Sequence, residues 1–345
     1  MHSFKRAVLS LTAFFYASFP HAESSGPASA QQLQSGVNTS LNHQRSGFGH
    51  LRVDDRIQDL LGHPAFAGFE RLLLPWDGRS YDEQMSLRQM GELLPYHSHV
   101  EPRIAVAALN RMIDDAARGL KVYHDFYTPA QKREDPAKQH AGLFFYRGKP
   151  GAPFAIIAPG GGFAYVGSLH EGFPYAMEIS QRGYNAFVLK YRAGLGGQAA
   201  TEDLAAAISY IQKNHAELQV DTKNYSAWGS SAGARMVASI GSHGLSRYGG
   251  ENHPKPSVVV MAYTAHSDHA GAEPPTFAIV GSRDGISPPA AMESRVGALR
   301  SAGTEVQFRV VEGVGHGFGL GRGTGADGWV GDAVQFWEKV IRRNR

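Results

Sequence analysis

The sequence predicts an α/β protein built on a large, mostly parallel sheet of eight strands, with helices on both faces and a mainly helical N-terminal extension. From about residue 121 onward, short apolar runs alternate with longer amphipathic stretches, which is typical of strands and helices that follow one another. Glycine-rich or polar turns follow several of the apolar runs directly, as expected at the carboxyl ends of parallel strands.

The strands and helices are predicted from these runs in order. The predicted strands are Val122–Tyr127, Gly142–Arg147, Phe154–Ala158, Ala186–Lys190, Tyr225–Trp228, Val258–Ala262, Thr276–Val280 and Gln307–Val311. The predicted helices are Gly172–Arg182, Thr201–His215, Gly233–Gly241, Pro289–Ala302 and Trp329–Arg342. Because only a short connection rich in Pro and Lys joins the first two strands, they are predicted to pair antiparallel.

The composition is that of a packed globular protein. Of 345 residues, 42% are hydrophobic and 19% charged, which suits one large domain with an extension. Cysteine is absent, so disulfides, thiolate metal sites and a cysteine nucleophile are excluded. The formal net charge is only +3, and no basic stripe supports binding to nucleic acid.

The N-terminus has the pattern of a secretory signal peptide. Lys5 and Arg6 precede a largely apolar run at residues 7–19, and small polar residues follow. A membrane-spanning helix needs about 17–25 apolar residues, so a stable membrane anchor is not expected. We therefore predict a signal peptide at residues 1–22, cleaved near residues 22–24, and export to the periplasm or the medium. Residues 23–120 are predicted to form a flexible lead-in and the extension, and residues 121–345 the main domain.

The strongest candidate for a reactive group is Ser231. The sequence Trp228–Ala234 contains Gly-x-Ser-x-Gly, follows a short apolar run and opens a predicted helix. In that context the pattern forms a tight strand–turn–helix elbow that presents the serine as a nucleophile, with the helix N-terminus close to developing negative charge. The alternative is an ordinary loop rich in Gly and Ser.

A second glycine cluster, Pro159–Phe163, ends the third predicted strand. Backbone N–H groups in such a loop can stabilise the oxyanion that forms when a nucleophile attacks an ester. The alternative, a phosphate-binding loop, lacks the Lys-Ser/Thr that should follow the glycines.

Asp284 and His316 also follow predicted strands and complete a Ser, Asp, His order. His316 would take the proton of Ser231 and return it to the leaving group, and Asp284 would orient and stabilise the imidazole. Nucleophile, acid and base in this chain order at three strand ends predict a Ser-His-Asp catalytic triad.

From about Lys121 to Arg342 the chain resembles the α/β hydrolases, close to the acetyl-esterase/lipase group. The resemblance implies that Gly161, Gly162 and Ala232 donate the oxyanion hydrogen bonds. Two positions depart from the hormone-sensitive-lipase-like branch: Pro159 replaces its His, and Ser230 replaces its usual Asp. The Pro-Gly-Gly-Gly form is more similar to bacterial carbohydrate acetyl and feruloyl esterases of this fold.

Several residues near these motifs are weaker candidates. We expect the substrate pocket to include Phe163, Tyr165, Ser230 and His266. His170, Glu171 and Phe173 either line the pocket or form the apolar entry to the next helix. His266, Asp268 and His269 could alternatively hold a metal, or Asp268 could replace Asp284 as the triad acid. His97 and His99 could reach the site from the extension.

Together these observations predict an exported serine esterase that forms an acyl-enzyme and acts on a small-molecule or carbohydrate ester, with short acyl groups such as acetyl favoured. No metal or cofactor is implied. Two alternatives stay open: a peptidase of the same fold, and a binding module that kept the scaffold without catalysis.

Overall fold

The computed structural model describes residues 48–344 of the protein. The predicted signal peptide at residues 1–22, its cleavage site and most of the lead-in lie outside these residues.

Eight strands form one sheet. They are β1 Tyr123–His124, β2 Gly142–Tyr146, β3 Pro153–Ala158, β4 Asn185–Lys190, β5 Asp221–Ser230, β6 Val258–Ala262, β7 Thr276–Gly281 and β8 Val306–Val311. Their order across the sheet is β1-β2-β4-β3-β5-β6-β7-β8. β1 and β4 each pair antiparallel with β2, and all other neighbours are parallel. The predicted mostly parallel sheet with an antiparallel start is confirmed.

The helices cover both faces of this sheet. They are α1 Ile57–Leu61, α2 Pro102–Ala117, α3 Pro129–Glu134, α4 Phe173–Gln181, α5 Gly196–Lys213, α6 His215–Leu218, α7 Ala232–His243, α8 Pro289–Ser301 and α9 Trp329–Arg343. The alternation of side chains along each strand produces two apolar cores. One core holds Ile157 and Trp228 with α4, α8 and α9, and the other holds Ile156 with α5 and α7.

The element bounds differ from the prediction at several places: β5 is longer than the predicted Tyr225–Trp228, α5 begins five residues before Thr201, and the first strand is shorter. A strand is predicted over Val122–Tyr127, but β1 has two residues. Phe126 and Tyr127 leave the sheet edge and pack into the core beneath α5, where the Tyr127 hydroxyl donates to Asp203 at 2.5 Å. Burial of both rings therefore outweighs continued strand pairing.

The part of the extension that the structure describes shares the core of the sheet. Ile57, Leu60, Phe66 and Met112, from α1, a 3₁₀ turn and α2, are fully buried in the same apolar cluster as Trp228. The short 3₁₀ helices of this region are Pro64–Phe66, Glu70–Leu73 and Leu87–Leu93. Apolar burial thus joins the extension to the main domain.

A buried lysine makes a second link between the two regions. Lys190 ends β4 with a fully buried side chain, and its Nζ donates to the carbonyl oxygens of Leu74 and Pro75, each at 3.1 Å. The Asp77 carboxylate lies 3.0 Å from the same Nζ. A buried ammonium group needs such acceptors, so the Leu74–Asp77 turn of the extension is tied to the middle of the sheet.

No helix within residues 48–344 combines the length and the apolar character needed to cross a membrane.

Candidate active site

Ser231 lies in the tight turn between β5 and α7. Its backbone adopts φ 51° and ψ −115°, a strained conformation for a residue with a side chain. The Ser231 N–H donates to the Ala262 carbonyl oxygen at 2.9 Å. A methyl group on Gly233 would lie 1.8 Å from the Ala158 carbonyl oxygen, so only glycine allows α7 to approach β3 this closely. The turn leaves Ser231 half-buried above the carboxyl edge of the sheet.

The loops after β7 and β8 bring Asp284 and His316 to this serine. His316 Nε2 is 2.9 Å from Ser231 Oγ, and His316 Nδ1 is 2.8 Å from Asp284 Oδ2. Because a carboxylate only accepts hydrogen bonds, Nδ1 carries the proton and Nε2 is left to accept from the serine hydroxyl. The three predicted residues therefore form one continuous hydrogen-bonded chain, with Asp284 and His316 buried.

The second oxygen of Asp284 holds the carboxylate in place. Oδ1 accepts the backbone N–H groups of Ile286 at 2.9 Å and Ser287 at 2.7 Å. The alternative acid, Asp268, is paired instead with His243 at 2.7 Å on the exposed surface. The imidazole of His316 is therefore hydrogen-bonded to Asp284 and not to Asp268.

The glycine loop after β3 lies against the serine. Gly161 has φ 129°, and a methyl group there would lie 2.2 Å from the Tyr165 carbonyl oxygen, so the loop requires glycine. A methyl group on Gly160 would lie 2.9 Å from Ser231 Cβ, which shows how close the loop is. Among the described residues no acceptor takes the N–H of Gly161, Gly162 or Ala232. These three N–H groups, the predicted oxyanion donors, are therefore unpaired within residues 48–344.

Glu171 lies directly behind this loop and its side chain is fully buried. Its Oε2 accepts the Gly160 N–H at 2.5 Å, and its Oε1 accepts the Tyr263 hydroxyl at 2.7 Å and lies 3.1 Å from His97 Nε2. Burial raises the pKa of Glu171, but the nearby His97 and His170 and the hydrogen bonds outweigh it and lower the pKa to about 2. The buried group is a carboxylate at neutral pH.

The segment Tyr96–His99 of the extension contacts the glycine loop after β3 and the loop that carries His316. The Ser98 hydroxyl donates to the His316 carbonyl oxygen at 2.7 Å, and the Ser98 N–H donates to Gly317 at 2.9 Å. The ring of Tyr96 is 3.1 Å from the position that a methyl group would take on Gly162. The side chain of His97 is buried against Glu171, whereas His99 is exposed and its Nδ1 lies 3.1 Å from the Ser98 hydroxyl oxygen.

Two of the predicted pocket residues are buried in the protein instead. The Tyr165 hydroxyl accepts the Tyr96 N–H at 3.0 Å and lies 2.8 Å from His97 Nδ1. The Ser230 hydroxyl donates to the Tyr175 hydroxyl at 3.3 Å. Both side chains complete buried hydrogen bonds, because unpaired hydroxyls in this core would be costly, and so neither faces a pocket.

The other two predicted pocket residues are partly accessible. Phe163 follows the glycine loop with φ 60°, and its ring lies beneath the Arg235 guanidinium at 5.9 Å. His266 has its pKa lowered to about 4 by burial and by the nearby Arg295 and Arg235. Within residues 48–344 no group of three or more His, Asp or Glu is placed to hold a metal, so His266, Asp268 and His269 do not form the alternative metal site.

Sequence reasoning did not single out Tyr263 or Ser98, and it left Glu171 as a choice between pocket and helix entry. The stretch Ser168–Phe173 contains only two apolar residues, Leu169 and Phe173, so no sequence signal predicts the burial of Glu171. Nothing in the sequence near Ser98 indicates that it binds the loop of His316, 218 residues away.

Comparisons with known proteins agree with this architecture. The family model BD-FAE matches residues 146–257, which include the glycine loop and Ser231. An endo-1,4-beta-xylanase B of Butyrivibrio fibrisolvens is 36% identical over 93 residues, which are 26% of this chain. The match spans only 14% of that xylanase.

Solved structures identify the fold. An alpha/beta hydrolase enzyme from a deep-sea metagenome library superposes with a TM-score of 0.51 at 22% identity, covering 59% of this chain and 93% of that one. This chain has the α/β-hydrolase fold.

Other solved structures of similar fold are named for ester or sugar chemistry. A sugar hydrolase from Lactococcus lactis has a TM-score of 0.52 at 21% identity and covers 59% of this chain and 96% of that chain. An acetyl ester-xyloside bifunctional hydrolase from Caldicellulosiruptor lactoaceticus has a TM-score of 0.51 at 20% identity and covers 58% and 88%. At these identities the likeness defines the fold of this α/β hydrolase and not its substrate.

Proposed function

We propose that this α/β hydrolase is an exported serine esterase that hydrolyses short-chain carboxylic esters, in particular acetyl esters of a carbohydrate, through an acyl-enzyme. The observation that carries the proposal is the unbroken chain from Ser231 Oγ through His316 to Asp284, with 2.9 Å and 2.8 Å separations, at a strained strand–helix turn. Free N–H groups at Gly161, Gly162 and Ala232 beside this serine support it.

The proposed reaction has two halves. Ser231 Oγ attacks the ester carbonyl carbon while its proton passes to His316 Nε2, and the resulting oxyanion accepts hydrogen bonds from the free N–H groups. The C–O bond to the alcohol then breaks, and His316 returns the proton to the leaving oxygen. Water repeats the attack on the acyl-enzyme, with His316 as base, which releases the acid and restores Ser231.

The acetyl and carbohydrate preference rests on similarity. The BD-FAE match, the partial match to a xylanase and the acetyl ester-xyloside hydrolase among the structural neighbours favour ester groups on a plant polysaccharide or its fragments. Acetylated xylan fragments are therefore the natural substrates to test first.

The decisive test is hydrolysis of p-nitrophenyl esters from acetate to decanoate by the wild type and by Ser231→Ala. We expect the rate to peak at about two to four acyl carbons and turnover in the variant to fall by about 10⁴-fold or more. Full activity in Ser231→Ala would refute the nucleophile. A folded wild type that cleaves peptide amides as fast as esters would favour a peptidase. A folded wild type that cleaves neither and takes no fluorophosphonate label would favour a binding module.

Export is proposed from the leader pattern of residues 1–22 alone. N-terminal sequencing of the protein recovered from the periplasm or medium is expected to begin near residues 23–25. Recovery of the whole chain, still starting at Met1, in the cytoplasm would refute export.

A further inference from the structure

We propose that Glu171, held by His97 of the N-terminal extension, is a positioning residue that fixes the glycine loop for oxyanion binding. This inference rests on the proposed esterase function. It assigns to the extension a part in catalysis, although neither residue touches the reacting atoms.

Glu171 anchors the glycine loop that follows β3. The Gly160 N–H donates to Glu171 Oε2 at 2.5 Å, and the Gly160 carbonyl oxygen accepts the Gly167 N–H at 2.9 Å. Both polar groups of the residue before Gly161 and Gly162 are therefore committed. Because glycines have wide conformational freedom, this anchoring determines where the two free N–H groups point.

The orientation of His97 follows from its contact with Tyr165. The Tyr165 hydroxyl oxygen accepts the Tyr96 N–H at 3.0 Å, so its own O–H is available to His97 Nδ1, 2.8 Å away. Nδ1 then accepts, and Nε2 carries the proton that it donates to Glu171 at 3.1 Å. The side chain of His97 is 2% exposed, so no solvent replaces this donor readily.

The Glu171 carboxylate also reaches the side of the site that holds His316. The Tyr263 hydroxyl donates to Glu171 Oε1 at 2.7 Å, and the Tyr263 ring packs edge-on against His316 with centroids 5.2 Å apart. Ser98, next to His97, holds the His316 carbonyl oxygen at 2.7 Å. Glu171 and its neighbours thus link the oxyanion loop to the general base.

This arrangement predicts an effect on kcat more than on KM. A free N–H that is misplaced by a fraction of an ångström stabilises the transition state less, whereas binding of the ground-state ester depends little on it. The extension should then matter to the rate through Glu171 even where the protein remains folded.

The experiment compares Glu171→Gln, His97→Ala and His97→Gln with His124→Ala as a matched control. His124 is also a buried histidine bonded to a tyrosine hydroxyl, Tyr210 at 3.3 Å, but it lies on β1 at the sheet edge. With p-nitrophenyl acetate, we expect kcat to fall about 10- to 100-fold in Glu171→Gln and His97→Ala, with KM nearly unchanged. His97→Gln keeps an N–H donor and is expected to recover most of kcat. His124→Ala should lower stability only.

Amide hydrogen exchange supplies a readout that does not depend on activity. Because a neutral amide oxygen accepts the Gly160 N–H more weakly than a carboxylate does, exchange at Gly160 is expected to become faster in Glu171→Gln, and likewise in His97→Ala, than in His124→Ala at equal stability. Exchange that stays as slow as in the wild type, or a kcat loss no larger than in the control, overturns the inference. A wild type that hydrolyses no ester, while Gly160 exchanges faster in both variants, overturns the proposed function and supports the anchoring of the loop.

Discussion

At Ser231 the backbone torsions φ 51° and ψ −115° place a residue with a side chain in a region that it rarely adopts. The strain is compensated by the Ser231 N–H bond to Ala262 and by the packing of α7 against β3 and β5. This conformation places Ser231 Oγ 2.9 Å from His316 Nε2. The proposed hydrolysis then depends on which carboxylate orients the His316 imidazole.

The two candidate acids, Asp284 and Asp268, allow a direct comparison. In Asp284→Asn the amide can still accept the N–H groups of Ile286 and Ser287, but it no longer accepts the His316 Nδ1 proton well. We expect kcat for p-nitrophenyl acetate to fall by about 10⁴-fold with the fold intact. Asp268→Asn, which removes only the exposed pair with His243, should retain wild-type kcat. Equal losses in the two variants would contradict the assignment of the triad acid.

Among the elements, the unit that matters most is β3, β5 and α7. Ala158 ends β3, and its carbonyl oxygen lies beside the first turn of α7 at Gly233. The glycine loop leaves β3 at this point and Ser231 follows β5, so the close packing sets the distance between the glycine N–H groups and the serine hydroxyl. The helix N-terminus of α7 also stabilises negative charge there.

Gly233→Ala tests this packing. The new methyl group would meet the Ala158 carbonyl oxygen at 1.8 Å, so α7 or the loop must move. We expect a loss of about 3 kcal/mol in the free energy of unfolding, measured by urea denaturation, together with a large loss of kcat. Gly297→Ala is the control, because this glycine in α8 has nothing within 4 Å and should gain about 0.5–1 kcal/mol. Equal stability in the two variants would argue against the close approach.

For the molecule as a whole, the part of the extension that is described here belongs to the core of the hydrolase domain. Its apolar residues belong to the same buried cluster as Trp228, and its Leu74–Asp77 turn accepts hydrogen bonds from Lys190. Its Tyr96–His99 segment contacts the loop that carries His316. The protein also buries titratable groups, His124 of β1 and His170 among them. Stability therefore depends on pH as well as on apolar area.

We expect the protein to lose stability on mild acidification. Burial lowers the pKa of His124 to about 4, aided by the positive charges of Lys121 and Arg147, and burial and His97 lower the pKa of His170 to about 4. Below about pH 6.5 the unfolded chain takes up protons that the folded protein does not bind until about pH 4. The stability is therefore complete above pH 6.5 and is lost as the pH falls toward 4.

The measurement is the urea midpoint from pH 7.5 to 4. Each histidine adds a slope of at most about 1.4 kcal/mol per pH unit, and His124→Gln should remove its own share. The pKa of Glu171, lowered to about 2, extends the loss in the same direction below about pH 4.5. A urea midpoint that stays constant from pH 7 to 4.5 would contradict this account.

The sequence by itself was sufficient to predict the sheet and to place Ser231, Asp284 and His316 after three of its strands. Period and turn composition are local signals, and the parallel strands of one sheet end at one edge, so residues after different strands must meet there. The two-residue β1 escaped prediction because long-range burial of Phe126 and Tyr127 decided it.

Only the tertiary structure decided what each polar side chain near the site contacts. Tyr165 and Ser230 stand beside the motifs in the chain, yet their hydroxyls bond Tyr96, His97 and Tyr175 inside the protein. Glu171 gains its role from a histidine 74 residues earlier in the chain, as the numbering of the pair shows. Such contacts depend on which segment covers which, because a buried polar group must find a partner wherever the packed chain supplies one.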